Sequence, residues 1–299
     1  MSNRISTFAM ICLLLLGGTF TAYAGASAAI AEAPDAKLGV FTNPQLVTIE
    51  GYSQDAMEPF ISPDGNYLFF NNSNSAADTN LYYATRIDDL RFQFQGEIGG
   101  VNSTALDAVP SMDRNNTFYF VSTRSYSQTL STIYGGTFSN GSVSGVALVP
   151  GVSKEKAGWV NFDACISPDG NTLYFVDSFF GSAGQPQNAS ISIATREGDH
   201  FLRLKNSAKI MRKINTHALN YAADISKSGL EFFFTRFDGT EPAIYTARRA
   251  KASKPFGKPA KIEAITGFAE APALSPDEKS LYYHKNESGV FVIYRVTRP

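Results

Sequence analysis

The chain has 299 residues, a formal net charge of −1 from 26 basic and 27 acidic side chains, and only two cysteines. Such a balance carries no overall basic excess of the kind that marks a nucleic-acid surface. Two cysteines cannot build a disulfide framework, so the fold is expected to stand on a packed apolar core, for which 43% hydrophobic residues provide the material.

The first element reads as a targeting segment. Arg4 supplies a positive start, Phe8 to Leu16 an apolar run, and Ala22-Tyr23-Ala24 a small-residue cleavage site; that order is a secretory signal peptide. The run is too short to span a bilayer. Cys12 sits inside it instead of closing it as an acylated cysteine would. Residues 1–24 are expected to be removed and 25–39 to form an Ala-rich leader. Residues 40–299 are then one monomeric domain, periplasmic or secreted, with no membrane span. Cleavage removes Cys12 and leaves Cys165 without a disulfide partner in an oxidising compartment.

From residue 58 the chain repeats. A small-residue strand, a tight turn and an aromatic strand recur five times: Glu58–Gly65 then Tyr67–Phe70; Val109–Asn116 then Phe118–Val121; Ala164–Gly170 then Leu173–Val176; Ala223–Gly229 then Phe232–Phe234; Ala271–Glu278 then Leu281–Tyr283. The turn anchors Ser62, Asp113, Ser167, Ser226 and Ser275 lie 51, 54, 59 and 49 residues apart, close to one four-stranded propeller blade. Ser-Pro-Asp-Gly is a preformed hairpin, because proline presets φ, aspartate bonds back to the backbone and glycine accepts positive φ. A third strand follows in each unit, for example Asn80–Ala84 and Ala243–Thr246, then a fourth segment led by Phe92, Phe138, Phe201 or Phe256. The fifth unit is a strand short, and Phe41–Ile49 resembles the Phe256–Ile262 segment. The pattern predicts an all-β, five-bladed β-propeller in which the N-terminal strand completes the last blade and removes the open sheet edges.

The Ser-Pro-Asp-Gly turns and aromatic strands, from Phe41 to Arg298, resemble the WD40-like propeller repeat of the TolB family, which also occurs in propeller domains of some peptidases. TolB-type proteins carry six blades after an α/β domain and the peptidases carry a hydrolase domain; this chain is expected to have neither addition. The resemblance implies the fold and, by itself, no activity.

Catalytic signatures are few. No H-E-x-x-H, C-x-x-C, G-x-S-x-G or phosphate-loop motif occurs, and the S-x-x-K match at Ser153–Lys156 falls in a blade connection. His200 and His284 are expected at the surface, whereas His217 precedes an inner strand on the side where loops gather. The constellation with chemistry in it is acidic: Asp55, Glu58, Asp107, Asp163, Asp224 and Glu270 fall at or just before inner strands, which converge on the channel mouth of a propeller. Their registers differ, so alternating strand faces cannot point them all alike. Some of them are then expected to bond to neighbouring blades.

A site at this mouth would comprise Asp55, Asp107, Asp163, Asp224 and Glu270, with His217 and Trp159 on its rim. No cofactor is expected; oxygen ligands alone would suit Ca²⁺ above zinc. Tyr52, Phe162 and Tyr221, like Trp159, could stack on sugars. The third repeat has the longest interruptions, Gly151–Asn161 and Ser178–Ala189, expected at opposite ends of the blade. The function expected is a binding or scaffold module for a protein or glycan outside the cytoplasm, with no nucleic-acid partner. The alternative is a carbohydrate-active enzyme, a glycoside hydrolase or polysaccharide lyase, with Asp107, Asp163 and Glu270 as acid, base or nucleophile.

Overall fold

The structure, a computed structural model, describes residues 40–180 and 186–299; the expected signal peptide 1–24, the expected leader 25–39 and part of the third-repeat insertion lie outside the described residues. Five sheets make up the fold, each with its blade strands antiparallel. Their inner strands are Met57–Ile61, Asp107–Met112, Trp159–Ile166, Leu219–Ile225 and Ala269–Leu274. Second strands follow at Tyr67–Asn71, Thr117–Ser122, Thr172–Phe180, Glu231–Phe237 and Ser280–Glu287. Third strands are Leu81–Arg86, Ile133–Ser139, Pro186–Glu197, Ala243–Arg248 and Val290–Thr297. Each inner strand touches its neighbours on both sides and the fifth touches the first, so the sheets close a ring. The fold is a five-bladed β-propeller.

The outer strands are Arg91–Glu97, Ser142–Leu148, His200–Arg203 and the short Ala260–Lys261 in the first four blades. In the fifth blade this place is taken by Thr42–Leu46, which pairs antiparallel with Val290–Thr297. The N-terminal strand therefore closes the ring as the repeat count required. One detail differs from the expected single strand over 41–49. After Val47 the chain leaves the last blade, and Thr48–Glu50 runs parallel to Arg91–Gln93 of the first. The segment thus holds blade five to blade one on both sides of the joint.

The phenylalanine that leads the fourth segment has a physical role. Arg196, Arg249 and Arg298 end third strands, and each lays its guanidinium over a phenylalanine ring: Phe201 at 4.5 Å, Phe256 at 4.4 Å and Phe41 at 4.6 Å. The same arginines donate Nε–H to the carbonyls of Gly170, Gly229 and Glu278, each at 2.7 Å. The outer segment is thereby tied to the inner hairpin of its own blade. Phe138 does not fit this scheme, since it belongs to the third strand of blade two.

The hairpin turns obey the sequence logic. Ser62, Ser167 and Ser275 donate Oγ–H to Asp64, Asp169 and Asp277, and accept the N–H of Tyr67, Thr172 and Ser280, each at 2.9 Å. In blade two Asp113 does this alone, accepting the N–H of Asn115 (2.8 Å) and Thr117 (2.9 Å). Gly65, Gly170 and Gly229 take positive φ (77°, 75° and 68°), and Asn116 and Glu278 stand in their place at 61°. Between blades the aromatic second strands pack edge to face, as Phe69 does on Phe118 with centroids 5.2 Å apart.

Phe41 is buried and meets Phe233 of blade four in a T-shaped contact at 5.8 Å. Phe41→Ala should lower unfolding free energy by about 3–5 kcal/mol, read from urea denaturation. A loss no larger than that of a surface substitution would show that closure does not depend on this anchor.

Candidate functional site

Four residues before each turn anchor stand Glu58, Val109, Asp163, Ala222 and Ala271. All five have left-handed backbone, with φ of 52°, 57°, 51°, 47° and 55°. At each of them the pairing of inner and second strands slips in a bulge. A non-glycine residue held this way costs about 1 kcal/mol or more, so something must hold it five times over. The bulge turns the amide of that residue toward the preceding blade, where side chains capture it. Val109 N–H donates to Asn71 Oδ1 (3.2 Å), Ala271 N–H to Thr235 Oγ1 (3.0 Å) and Glu58 N–H to His284 Nδ1 (2.9 Å). Asn71, Thr235 and His284 occupy one register position, nine residues past their anchors.

In blade three that position is Val176, which cannot accept. Here Asp163 reaches across and its Oδ2 accepts Ala222 N–H at 2.9 Å. Two further acceptors bridge the same inner ring: Ser111 Oγ takes Ile166 N–H (3.0 Å), and Asp224 takes Leu274 N–H and, at 2.8 Å, Ile225 N–H. The Cys165 thiol donates to Asp224 at 3.5 Å. Burial, then the Asp224 charge, pushes that thiol well up, which keeps it unreactive.

Around the axis the bulges leave a small open-mouthed cavity of about 30 Å³, lined from all five blades by Glu58, Val109, Asp163, Ala222, Ala271 and the two residues after each of them. Most of that lining is Pro and Ala; the titratable groups are Glu58, Asp163, Asp224 and Cys165. Next to the lining, Glu270 accepts the Tyr221 hydroxyl and contacts His284 Nε2 at 3.1 Å. Because Nδ1 of His284 accepts an amide, its ring proton belongs on Nε2, where it donates to Glu270. His284 is 1% exposed, so the expected surface position is wrong. The imidazole is the acceptor that its register position demands.

Burial lifts the Asp163 carboxyl to about 7; the Ala222 N–H opposes this and the Glu270 charge adds to it. Asp224 is lifted to about 6, again mainly by burial and against the Leu274 and Ile225 amides. Among the described residues no group of three or more His, Cys, Asp or Glu side chains is placed to hold a metal ion.

The structure sets Asp163 and Asp224 in the cavity lining, with Glu270 beside Asp163 just outside it, and leaves the four other candidates away from that group. Asp55 accepts Phe291 N–H at 2.9 Å. Asp107 is fully buried, bonded to Arg124 and to the Ser103 amide and hydroxyl. His217 is exposed. Trp159 is half-buried on the mouth side, with Lys154 Nζ 3.3 Å from its ring centroid and Phe179 beside it at 5.6 Å.

Trp159 also corrects the placing of the third-repeat interruptions. It pairs with Phe179, and Phe180 N–H donates to Gly158 C=O at 2.8 Å. The segment before the inner strand and the hairpin after the second strand therefore share one end of the blade. An antiparallel second strand returns the chain to the end where the first began. Glu58, His284 and the left-handed ring are the residues that sequence reasoning missed or undervalued. The signal available was the fixed spacing of each of these positions from its turn anchor.

No family model matches the chain, and no curated protein matches it. Among solved structures it is similar to a glycoside hydrolase with 9% identity and TM-score 0.59, over 87% of this chain and 92% of that one. A family 117 glycoside hydrolase from Zobellia galactanivorans has 11% identity and TM-score 0.56, over 86% and 90%. TolB from Acinetobacter baumannii has 16% identity and TM-score 0.45, over 82% of this chain and 54% of TolB. These likenesses show the propeller fold alone.

A carboxyl raised by burial stabilises the fold fully below its unfolded value near 4, and that contribution is lost as pH rises through about 7. Stability should thus fall between about pH 5 and about pH 8. Asp163→Asn keeps an acceptor for Ala222 and removes the charge, so it should flatten this slope in urea melts at the two pH values. An unchanged slope would move the titration elsewhere.

Proposed function

We propose that this chain acts outside the cytoplasm, in the periplasm or secreted, as a rigid binding module for a protein or glycan partner. One observation supports this most: the carboxylates around the axis are already engaged in holding blades together. Asp163 takes the amide that Val176 cannot, Asp224 takes two amides, and Glu270 takes Tyr221 and His284. A glycosidase needs its carboxylates turned to a sugar ring with one free to give and one to take a proton. A small cavity lined by Pro and Ala also offers few donors for sugar hydroxyls. A propeller spends its rigidity on presenting loops, the usual carriers of binding.

The second reading is hydrolysis. Its support is the pairing of Asp163, raised to about 7 so that it can hold a proton near neutral pH, with the negative Glu270 beside it. Two neighbouring carboxyls are the groups that glycoside hydrolysis needs as acid and as base or nucleophile. The fold shared with glycoside hydrolases leaves this reading open to test.

Incubation of the purified chain with a panel of neutral and acidic polysaccharides separates the two. The binding reading expects retention by one or more polysaccharides, or by a purified protein partner, with no release of reducing ends. Reducing ends that form with the parent chain and disappear in both Asp163→Asn and Glu270→Gln, with folding intact, would establish the hydrolase instead.

A further inference from the structure

Two cation-rich stretches of this near-neutral chain contain no acidic residue, His200–Ala223 and Pro242–Ile262. The first links the outer strand of blade three to the inner strand of blade four, and the second covers the outer half of blade four. The fold joins them. Phe256 N–H donates to Ile210 C=O at 3.1 Å, and Ile210, Met211, Ile214 and Phe256 share one buried cluster. With the apolar side chains turned inward, the cations remain outside. Lys205, Lys209, Arg212 and Lys213 are exposed on the first stretch, and Lys251, Lys254, Lys258 and Lys261 on the second. Every one lies within five residues of the Ile210–Phe256 contact.

None of these cations forms an ion pair among the described residues. Nearby arginines behave differently: Arg203 pairs with Asp177, and Arg248 and Arg298 pair with Glu231. The exposed acids that border the two stretches in sequence, Asp199, Glu241 and Glu263, lie outside their ends, and none pairs with these cations. Like charges gathered without counter-charge repel one another and destabilise the compact state. A net charge of −1 therefore conceals a flank whose cations have no ion-pair partner among the described residues.

We propose that this flank of blades three and four binds a polyanionic polysaccharide, a linear glycan bearing carboxylates or sulfates. The proposal rests on the binding reading above and narrows it to one partner class, but it uses no residue of the axial channel. Lysine predominates, and its ammonium is a mobile point charge on a flexible stem, suited to charges spread along a flexible polymer; arginine is the side chain for planar, bidentate recognition. The alternatives lack their usual second contribution. Neither stretch exposes a phenylalanine, tyrosine or tryptophan on which nucleic-acid bases could stack. Leu202 is their one exposed large apolar side chain, too little to seat in a bilayer beside the charge.

Affinity electrophoresis of the purified chain against polygalacturonate tests this, with neutral dextran, phosphatidylglycerol vesicles and duplex DNA as the other probes. Polygalacturonate should bind, and binding should weaken about tenfold or more as salt rises from about 0.05 M to about 0.2 M. Combining Lys209→Glu, Lys213→Glu, Lys254→Glu and Lys258→Glu should weaken it about tenfold or more. The same four changed to Gln give a second readout should the reversed set fail to fold. Unchanged affinity in the Gln set, equal binding of dextran, or tighter binding of vesicles or DNA each overturns the proposal. Hydrolysis of polygalacturonate abolished by Asp163→Asn, with the flank variants still binding weakly, would end the binding reading and leave the flank standing.

Discussion

Closing a ring of sheets requires the last sheet to meet the first, and in this chain a few residues at the N-terminal side of the fold supply that joint. Thr42–Leu46 completes the fifth blade and Thr48–Glu50 lies along the first. The double attachment matters because each blade buries its aromatic second strand only against a neighbour. Without closure, blade five would present an open edge of unpaired amides, and Phe233 would lose Phe41. Every contact between blades is geometrically defined only once the ring is shut.

Closure brings the inner strands into a crowded axis, and the crowding is resolved by the same device in every blade. A bulge places one residue in left-handed backbone, and in four of the blades a side chain of the preceding blade accepts its amide. Asn71, Thr235 and His284 are chemically unlike, yet they serve one purpose because only a lone pair at that point is required. Blade three breaks the rule with Val176, and Asp163 answers from the inner strand. Part of the acidic constellation is thus the consequence of an acceptor missing elsewhere.

That origin bears on function. Carboxyls buried to satisfy amides also acquire raised pKa values and a neighbour of like charge, which are the properties by which catalytic carboxyls are recognised. Structural and catalytic carboxyls look alike in this respect, and the difference lies in whether the oxygens face a substrate. Around this axis Asp163 and Asp224 face backbone amides and Glu270 faces Tyr221 and His284. The exposed cations of blades three and four form no ion pair among the described residues, and it is there that the chemistry points outward.

The sequence alone determined the number of blades, the turn chemistry and the origin of the closing strand. Each of these is written in local spacing: Ser-Pro-Asp-Gly folds a hairpin by its own dihedral preferences, and a missing strand at one end matches a spare one at the other. It could not rank the carboxylates, because Asp107, Asp163 and Glu270 are equivalent as letters and differ only in what the neighbouring blade places opposite them. His284 looked like a surface histidine until its register position met the amide of Glu58, a residue at the other end of the chain. The basic flank was equally hidden, since a charge total sums over the whole chain. Only tertiary structure brought Ile210 to Phe256 and, with them, two acid-free stretches from neighbouring blades onto one face.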